Sequence, residues 1–258
     1  MTEVSSHPNS PGYEARPGLP VVDIYEYGGK RNGERQSLNR RLFFQLLVFR
    51  SARDGNALAA ELIQRLRAAE VPGVVYADTM DPRGFGLLTW SEAPEQFIQR
   101  VRPLFSTVLK DEELRSDVAM IGRTYSSGHE PDLEHWLLRR PVENVTNVNY
   151  PWHVWYPLRR IGSFNRIDAH EQATIMREHA ALGMAYGQQE LAHDIRLACH
   201  GLDTSDNEFV IGLVGRELYP LSHLVQAMRK TRQTAEFIAH MGPFFVGHVL
   251  ARTSPEKG

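Results

Sequence analysis

The sequence predicts an α+β fold built from two copies of one β-α-β-β-α-β unit. Short apolar runs and amphipathic segments follow one another in the same order in both halves of the 258-residue chain. Short sequence segments also repeat. Gly84–Leu88 (GFGLL) resembles Val210–Val214 (VIGLV) at a spacing of 126 residues. Two further pairs of markers repeat at spacings of 126 and 125 residues, namely Pro94 with Pro220, and Gly122 with Gly247. Together these observations indicate an internal duplication.

The first unit begins with a dense apolar run at residues 42–49, which is typical of a strand buried on both faces. Asp54 can cap a helix predicted through about residue 69, and the Val71-Pro72-Gly73 sequence ends it. The remaining predicted elements are strands at 74–76 and 85–90, joined by a turn at 81–84, a helix at 95–109 that follows Pro94, and a strand at 119–125.

The second unit repeats this order. Its predicted elements are a strand at 154–156, a helix at 168–186, strands at 195–200 and 208–213, a helix from Leu221 and a strand at 244–250. This arrangement is ferredoxin-like. Two such units normally pack their sheets together as an α+β barrel, with the helices outside and a pocket between sheet and helix layer.

The chain is accordingly divided into four parts. Residues 1–38 are predicted to be an N-terminal tail or arm, largely irregular, because prolines, glycines and polar residues predominate near its start. Residues 39–140 form the first ferredoxin-like half and residues 141–252 the second, and residues 253–258 form a short tail.

Composition excludes several classes of partner. The formal net charge is −2, so no basic field is available to hold nucleic acid or an anionic membrane surface. The single cysteine, Cys199, excludes an intramolecular disulfide and a cysteine metal cluster. No apolar stretch approaches the ~20 residues of a membrane span. We therefore expect a cytoplasmic protein.

The predicted helix at 168–186 carries a histidine on its apolar face. Ile175, His179, Leu182 and Tyr186 follow helical spacing, so the imidazole should be buried or half-buried among aliphatic side chains. Asp168 is a suitable N-cap. A buried imidazole needs a hydrogen-bond partner in the core or a metal ion, and the helix alone leaves both open.

Four segments resemble the haem-binding superfamily of chlorite dismutases and coproheme decarboxylases. They are Trp155–Arg160 (WYPLRR), Arg177–Gly183 (REHAALG), Met228-Arg229 and Gly242–Gly247 (GPFFVG). The resemblance covers about residues 150–250, and the first half agrees mainly in pattern. It implies the barrel fold, an iron porphyrin ligand and assembly as a ring-shaped homo-oligomer, commonly a pentamer.

The resemblance assigns roles to individual residues. It implies that His179 is the proximal ligand of the iron of haem b or iron coproporphyrin III. Tyr156 matches the tyrosine that the decarboxylases oxidise, although a packing role for its ring is the alternative. Arg160 stands where these enzymes carry a lysine, and arginine does not readily donate a proton. Arg140 and Thr234 match residues that hold propionates, although a surface arginine without such a role is the alternative for Arg140.

The side of the porphyrin opposite the histidine separates the two activities. Chlorite dismutases place an arginine seven residues before the glycine of a turn that is present here as Gly201–Asp203, and that position is Asp194. Arg196 lies two residues nearer, on the same strand face, where the two side chains can pair. A carboxylate above the iron would repel chlorite. Gln233 stands where chlorite dismutases carry a glutamate beside the ligand histidine.

The first functional hypothesis is peroxide-dependent decarboxylation of iron coproporphyrin III to haem b. The second is chlorite decomposition to chloride and dioxygen, with Arg196 reaching the distal side after a strand shift. A haem-binding or sensing protein without turnover is the third, and a barrel that binds no porphyrin is the fourth.

Overall fold

A computed structural model describes residue 20 and residues 22–253. Residues 1–19 and 21 of the predicted N-terminal tail and residues 254–258 of the predicted C-terminal tail lie outside the described residues. The described strands are β1 (Glu26–Arg31), β2 (Glu34–Leu38), β3 (Phe43–Arg50), β4 (Gly73–Asp78), β5 (Gly84–Ser91), β6 (Glu113–Leu114), β7 (Met120–Thr124), β8 (Trp152–Arg160), β9 (His193–Ala198), β10 (Phe209–Gly215), β11 (Ile238–Met241) and β12 (Phe245–Arg252). The described α-helices are α1 (Gly55–Ala68), α2 (Arg140–Thr146), α3 (Ala169–Gln188), α4 (Leu218–Met228) and α5 (Arg232–Phe237).

Eight of these strands form a closed antiparallel barrel. Around the barrel their order is β10, β9, β7, β3, β5, β4, β12 and β8, and β8 pairs with β10 to close the ring. The first half contributes β7-β3-β5-β4 and the second half β12-β8-β10-β9, so the two halves use the same internal strand order. The pairs β4–β12 and β7–β9 join them. The predicted duplicated ferredoxin-like barrel is confirmed.

Matching glycines in the two halves serve the same packing purpose. A Cβ atom on Gly86 would lie 2.5 Å from the Phe245 ring, and one on Gly212 would lie 2.5 Å from the Trp155 ring. Phe245 and Trp155 are both buried in the barrel interior. The spacing of 126 residues therefore marks equivalent places where the barrel wall makes room for an aromatic ring.

The prediction that residues 1–38 are largely irregular is wrong for residues 26–38, which form the β1–β2 hairpin. Asn32 and Gly33 connect its strands with φ angles of 53° and 87°, as the tightest type of hairpin turn requires. The Asn-Gly pair is a strong hairpin signal. It was overlooked because the flanking strands lack an apolar alternation.

One predicted helix and one predicted domain boundary differ from the structure. The segment expected at 95–109 consists of a wide π turn at Phe97–Val101 and a 3₁₀ segment at Arg102–Ser106. Pro103 lacks the amide hydrogen that a continuous α-helix needs. A second helical segment, His135–Arg139, runs directly into α2, so the boundary predicted at 140/141 falls within one continuous stretch.

The apolar residues form three main layers. One fills the barrel interior, a second lies between the first-half sheet and α1, and a third lies between the outer face of the second-half sheet and helices α3 and α4. The third layer is the least closed, because many of its members are only partly buried. Tyr156, one of the residues singled out by the sequence, belongs to it.

Candidate functional site

The candidate site is the cleft between the outer face of the second-half sheet and helices α3 and α4. Apolar residues from the sheet and from the helices line the space between these two layers, and many of them are only half-buried. We call this space the cleft, and its half-buried apolar lining comprises Leu158, Leu182, Ile211, Met228 and Phe244.

Helix α3 presents His179 toward the cleft. The Asp168 carboxylate caps the helix by accepting a hydrogen bond from His170 N at 2.8 Å, as its position predicted. Ile175 and Tyr186 on the same face are buried, and His179 is half-buried. The helix continues through two glycines to Gln188, beyond the predicted end.

No described residue hydrogen-bonds to either ring nitrogen of His179. Its Nδ1 atom is buried and unpaired, which leaves Nε2 as the nitrogen available to a ligand. Burial lowers the pKa of His179, so the imidazole is neutral and its nitrogen lone pair is free at physiological pH. A buried polar atom without a partner is uncommon in a finished core.

Gln233 supplies a second unpaired atom, on a helix that contacts the helix of His179. Its side chain lies on α5, is 8% exposed, and leaves Oε1 buried without a partner. Helix α5 is fastened to α3 because Arg232 N donates to Glu178 Oε2 at 3.0 Å and the Arg232 side chain pairs with Glu171 at 2.7 Å. The chain neighbours of His179 and Gln233 are thus in direct contact.

The sheet brings the other predicted residues onto the opposite wall. Tyr156 on β8 and Arg196 on β9 both stand opposite Ile211 on β10, so these three residues form one row across the sheet. Asp194 stands opposite Leu213 in the next row. Side chains of one row point to the same face of a sheet.

Tyr156 is buried at 6% exposure, and its ring stacks on Phe244 with 4.6 Å between centroids. Its hydroxyl forms no hydrogen bond with a described residue. Burial raises the pKa of Tyr156, the Asp194 charge adds to the rise, and the Arg229 charge opposes it. The phenol therefore keeps its proton at any pH at which the protein works.

Asp194 and Arg196 pair with each other, as their spacing predicted. Arg196 Nε lies 3.3 Å from Asp194 Oδ2, and Arg140 donates to Asp194 Oδ1 at 2.7 Å. Trp136 lies beneath both guanidinium groups, with 4.4 Å from its ring to Arg140 and 5.6 Å to Arg196. Burial raises the pKa of Asp194, but the charges of Arg196 and Arg140 outweigh it and hold this pKa below its ordinary value.

The other predicted polar residues are engaged within the protein. Arg160 pairs with Glu208 at 2.9 Å and stacks over Phe164 at 4.5 Å. The Thr234 hydroxyl accepts a hydrogen bond from the Thr231 hydroxyl at 3.3 Å. Their predicted contacts with a porphyrin carboxylate therefore require these internal partners to be exchanged or shared.

Several residues of the site escaped the sequence reasoning. Glu208 and Trp136 were missed because they contact the site only through the pairing of distant elements. Arg229 was noted only as part of a motif. It is exposed, its charge reaches Tyr156, and its contact with a described residue is a long one of 3.9 Å to Met241 Sδ.

Comparison with known proteins bears on the same part of the chain. Residues 139–250 match the sequence profile of the family described as Chlorite dismutase. This part of the chain therefore resembles the chlorite dismutase family. Among curated proteins, none matches the sequence. The match spans α2 through almost all of β12, and so includes both walls of the cleft.

Solved structures share the fold. A haem-binding protein from Thermus thermophilus aligns with a TM-score of 0.62 at 18% identity, over 82% of this chain and 92% of that one. A chlorite dismutase from Candidatus Nitrospira defluvii, solved with imidazole, aligns with a TM-score of 0.64 at 12% identity, over 84% and 93% of the two chains. The chain therefore has the same duplicated α+β barrel as these solved structures. None of its described helices is long and apolar enough to cross a membrane.

Proposed function

We propose that the cleft binds an iron porphyrin through His179 and that the protein is a peroxide-dependent coproheme decarboxylase. The observation that carries the proposal is the His179 imidazole, which is neutral, unpaired at both nitrogens and set on a capped helix facing an apolar cleft. The match of residues 139–250 to the chlorite dismutase family and the haem-binding protein of the same fold support it.

The residues present fit such a ligand. His179 Nε2 would hold the iron, while Nδ1 remains on the protein side, where the unpaired Gln233 Oε1 on the neighbouring helix is the candidate acceptor for its hydrogen. This hydrogen bond would fix the orientation of the ring. The half-buried apolar residues of the cleft suit the faces of a macrocycle, because closing over it would remove them from water.

Tyr156 is suited to the chemistry at the substrate. When bound, the iron porphyrin supplies the activation of hydrogen peroxide. The protonated Tyr156 phenol can lose an electron and a proton, and the resulting radical can take a hydrogen atom from a propionate carbon beside the ring. Loss of carbon dioxide and one more electron leaves a vinyl group. One peroxide, reduced to two waters, accepts the two electrons released per propionate.

Cationic side chains near the cleft can hold the substrate carboxylates. Arg229 is the strongest candidate, since it is exposed at the C-terminal end of α4 and forms no ion pair with a described residue. Arg160, Arg140 and Thr234 can contribute if their present partners are shared. A carboxylate and two guanidinium groups in one network keep most of their hydrogen bonds during such an exchange.

The ion-paired group of Asp194, Arg140, Arg196 and Glu130 favours peroxide over chlorite. Arg196 is shared between Asp194 and Glu130, whose Oε1 lies 3.9 Å from its Nη2, and Arg140 is bound to Asp194. Both guanidinium charges are therefore matched by internal carboxylates. A neutral ligand such as hydrogen peroxide meets no net repulsion here, whereas an oxyanion must displace Asp194.

Coproheme titration followed by peroxide tests the function. The wild-type protein should bind coproheme and, with peroxide, lose the mass of two carbon dioxide groups and four hydrogens from the porphyrin. Tyr156→Phe should still bind coproheme but form no product, while Tyr150→Phe, a buried tyrosine of the barrel interior, should behave as wild type. Product formation by Tyr156→Phe would remove Tyr156 from the mechanism. Unchanged coproheme in the wild type would refute the decarboxylase assignment.

The homopentameric ring and the cytoplasmic location stay predictions. Sedimentation of the purified protein, with and without coproheme, tests the first. Five-fold assembly should be present in both states.

A further inference from the structure

A line of three aromatic side chains runs from the cleft to the protein surface. The Tyr186 hydroxyl lies within hydrogen-bonding distance of His223 Nδ1, at 2.5 Å, and their ring centroids are 6.0 Å apart. The Tyr219 ring lies 5.7 Å from the His223 ring and is 73% exposed. Tyr219 and His223 are four residues apart on α4, so the helix holds them on one side.

The inner end of this line belongs to the cleft. Tyr186 is buried in the same apolar cluster as Tyr156. It also lies two helical turns beyond His179 on the same face of α3, about 10 Å along the helix axis. Single electrons pass over such distances in proteins without a diffusing carrier. Nothing in the decarboxylation requires Tyr186, His223 or Tyr219.

We propose that Tyr186, His223 and Tyr219 form a redox relay. It lets phenolic donors at the surface supply electrons to the reduction of hydrogen peroxide in the cleft. The inference rests on the proposed function for its oxidant, hydrogen peroxide. The relay makes Tyr219 a surface oxidation site, distinct from the porphyrin substrate site, for donors too large to enter the cleft.

The chemistry of one passage is balanced. Tyr186 gives one electron to the reduction of peroxide in the cleft, and it gives its hydroxyl proton to His223 Nδ1 along the existing hydrogen bond. Tyr219 then gives an electron to the Tyr186 radical and a proton to water, and His223 returns its proton to Tyr186. A phenol donor restores Tyr219 by giving it a hydrogen atom. Two passages reduce one hydrogen peroxide to two waters and yield two phenoxyl radicals.

Hydrogen bonding from Tyr186 to His223 is what makes this tyrosine suitable. A phenol radical cation is a very strong acid, so oxidation is easier when a base already accepts the proton. Tyr156 lacks such a partner among the described residues and must pass its hydrogen atom to and from substrate. The surroundings of Tyr186 therefore suit electron transfer coupled to proton transfer to His223, and those of Tyr156 suit hydrogen-atom transfer with the substrate.

Spin trapping on the coproheme-loaded protein tests the relay. Peroxide is added with the trap 2-methyl-2-nitrosopropane, and adducts are mapped by peptide mass spectrometry. Adducts should concentrate on Tyr219 and fall in Tyr186→Phe and His223→Phe to the level on Tyr25, a tyrosine 53% exposed and distant in the fold. Oxidation of 2-methoxyphenol should fall in parallel, while coproheme affinity stays unchanged.

Tyr150 provides a matched control. Its hydroxyl also lies within hydrogen-bonding distance of a histidine, at 2.9 Å from His193 Nε2, but its ring lies in the barrel interior cluster. Tyr150→Phe should leave Tyr219 labelling unchanged. Equal labelling of Tyr219 in wild type and Tyr186→Phe, with coproheme bound, would overturn the relay and leave the porphyrin site intact.

A second arm needs no porphyrin. Flash-generated tris(bipyridine)ruthenium(III) oxidises exposed tyrosines of the coproheme-free protein, and rapid freezing followed by electron paramagnetic resonance records where the radical settles. In the wild type part of the tyrosyl signal should come from Tyr186, and this part should be absent from Tyr186→Phe and reduced in His223→Phe, while the signal of the exposed tyrosines remains. If coproheme does not bind, the proposed function fails while this arm still decides the relay. A signal unchanged in both variants overturns it.

Discussion

Asp194 and Arg196 lie two residues apart on one face of β9, and their side chains meet at 3.3 Å between Arg196 Nε and Asp194 Oδ2. Arg140 approaches the same carboxylate from α2. The carboxylate thus occupies the position between two guanidinium groups that an anionic ligand would need. The wall of the cleft opposite His179 is electrostatically satisfied before any ligand arrives.

Replacing this carboxylate should open the site to anions. In Asp194→Asn, Arg140 and Arg196 lose the charge that balances them, so nitrite should bind the coproheme-loaded protein more tightly than it binds the wild type. Absorption titration measures the affinity. Glu190→Gln, which removes a surface carboxylate beside Tyr150, is the control and should change nothing. Equal nitrite affinity in Asp194→Asn and wild type would show that the arginines do not face the ligand.

Gln233 should set the donor strength of the ligand histidine. In Gln233→Glu a carboxylate would accept the Nδ1 hydrogen, making the imidazole a stronger donor and lowering the reduction potential of bound coproheme iron. Spectroelectrochemistry measures this potential. Gln188→Glu adds the same charge at the exposed end of α3 and should shift it much less. A potential unchanged by Gln233→Glu would separate Gln233 from His179.

Gly212 should tolerate no side chain. The Cβ atom in Gly212→Ala would lie 2.5 Å from the buried Trp155 ring, so the variant should lose about 1–3 kcal/mol of unfolding free energy through overpacking. Urea titration measures the loss. Gly162→Ala is the matched control, because a Cβ atom there meets nothing within 4 Å. Equal stability of the two variants would contradict the proposed reason for the repeated glycines.

Acid should destabilise the barrel through His153. This residue is fully buried, accepts from the Tyr76 hydroxyl at Nδ1 and lies 3.1 Å from Tyr150 O at Nε2, and burial lowers its pKa to about 3. Between that pKa and the ordinary value of ~6.5 the unfolded chain binds the proton and the folded chain does not. Stability from this group is therefore complete above pH ~6.5 and is lost as the pH falls toward 3.

The slope separates His153 from other titrating groups. As the pH falls from 6 to 4, protonation linked to His153 should lower the unfolding free energy by about 1.4 kcal/mol per pH unit. His153→Gln should lack this part of the slope, whereas His200→Gln, at an exposed histidine, should retain it. Denaturant titrations at pH 7, 5 and 4 measure both. Parallel slopes in wild type and His153→Gln would show that His153 takes up the proton in the folded state.

Much of the fold was predictable because local and global signals agree. The cap residue Asp168 and the apolar spacing that follows it predict helix α3, which the structure shows. The repeated glycines indicate the duplication, and they lie at equivalent places in the barrel. The hairpin at 26–38 carries its signal only in Asn32-Gly33, since neither strand has a buried face to impose alternation. The helix after Pro94 failed because a second proline, Pro103, lies within it.

The site was less predictable because its contacts join distant parts of the chain. The Asp194–Arg196 pair follows from strand alternation alone, and the structure confirms it. Glu208 reaches Arg160, and Arg140 reaches Asp194, only once the sheet and α2 are assembled. The spacing of Tyr219 and His223 on α4 is visible in the sequence, but their alignment with Tyr186 is a property of the packed helices.

The most direct test of the central claim is the absorption and resonance Raman spectrum of coproheme bound to wild type and to His179→Gly, with and without added imidazole. The account predicts an iron–histidine band in the wild type, its loss in His179→Gly, and its return when imidazole fills the space left by the side chain. A wild-type spectrum without that band, or one that His179→Gly leaves unchanged, would contradict it.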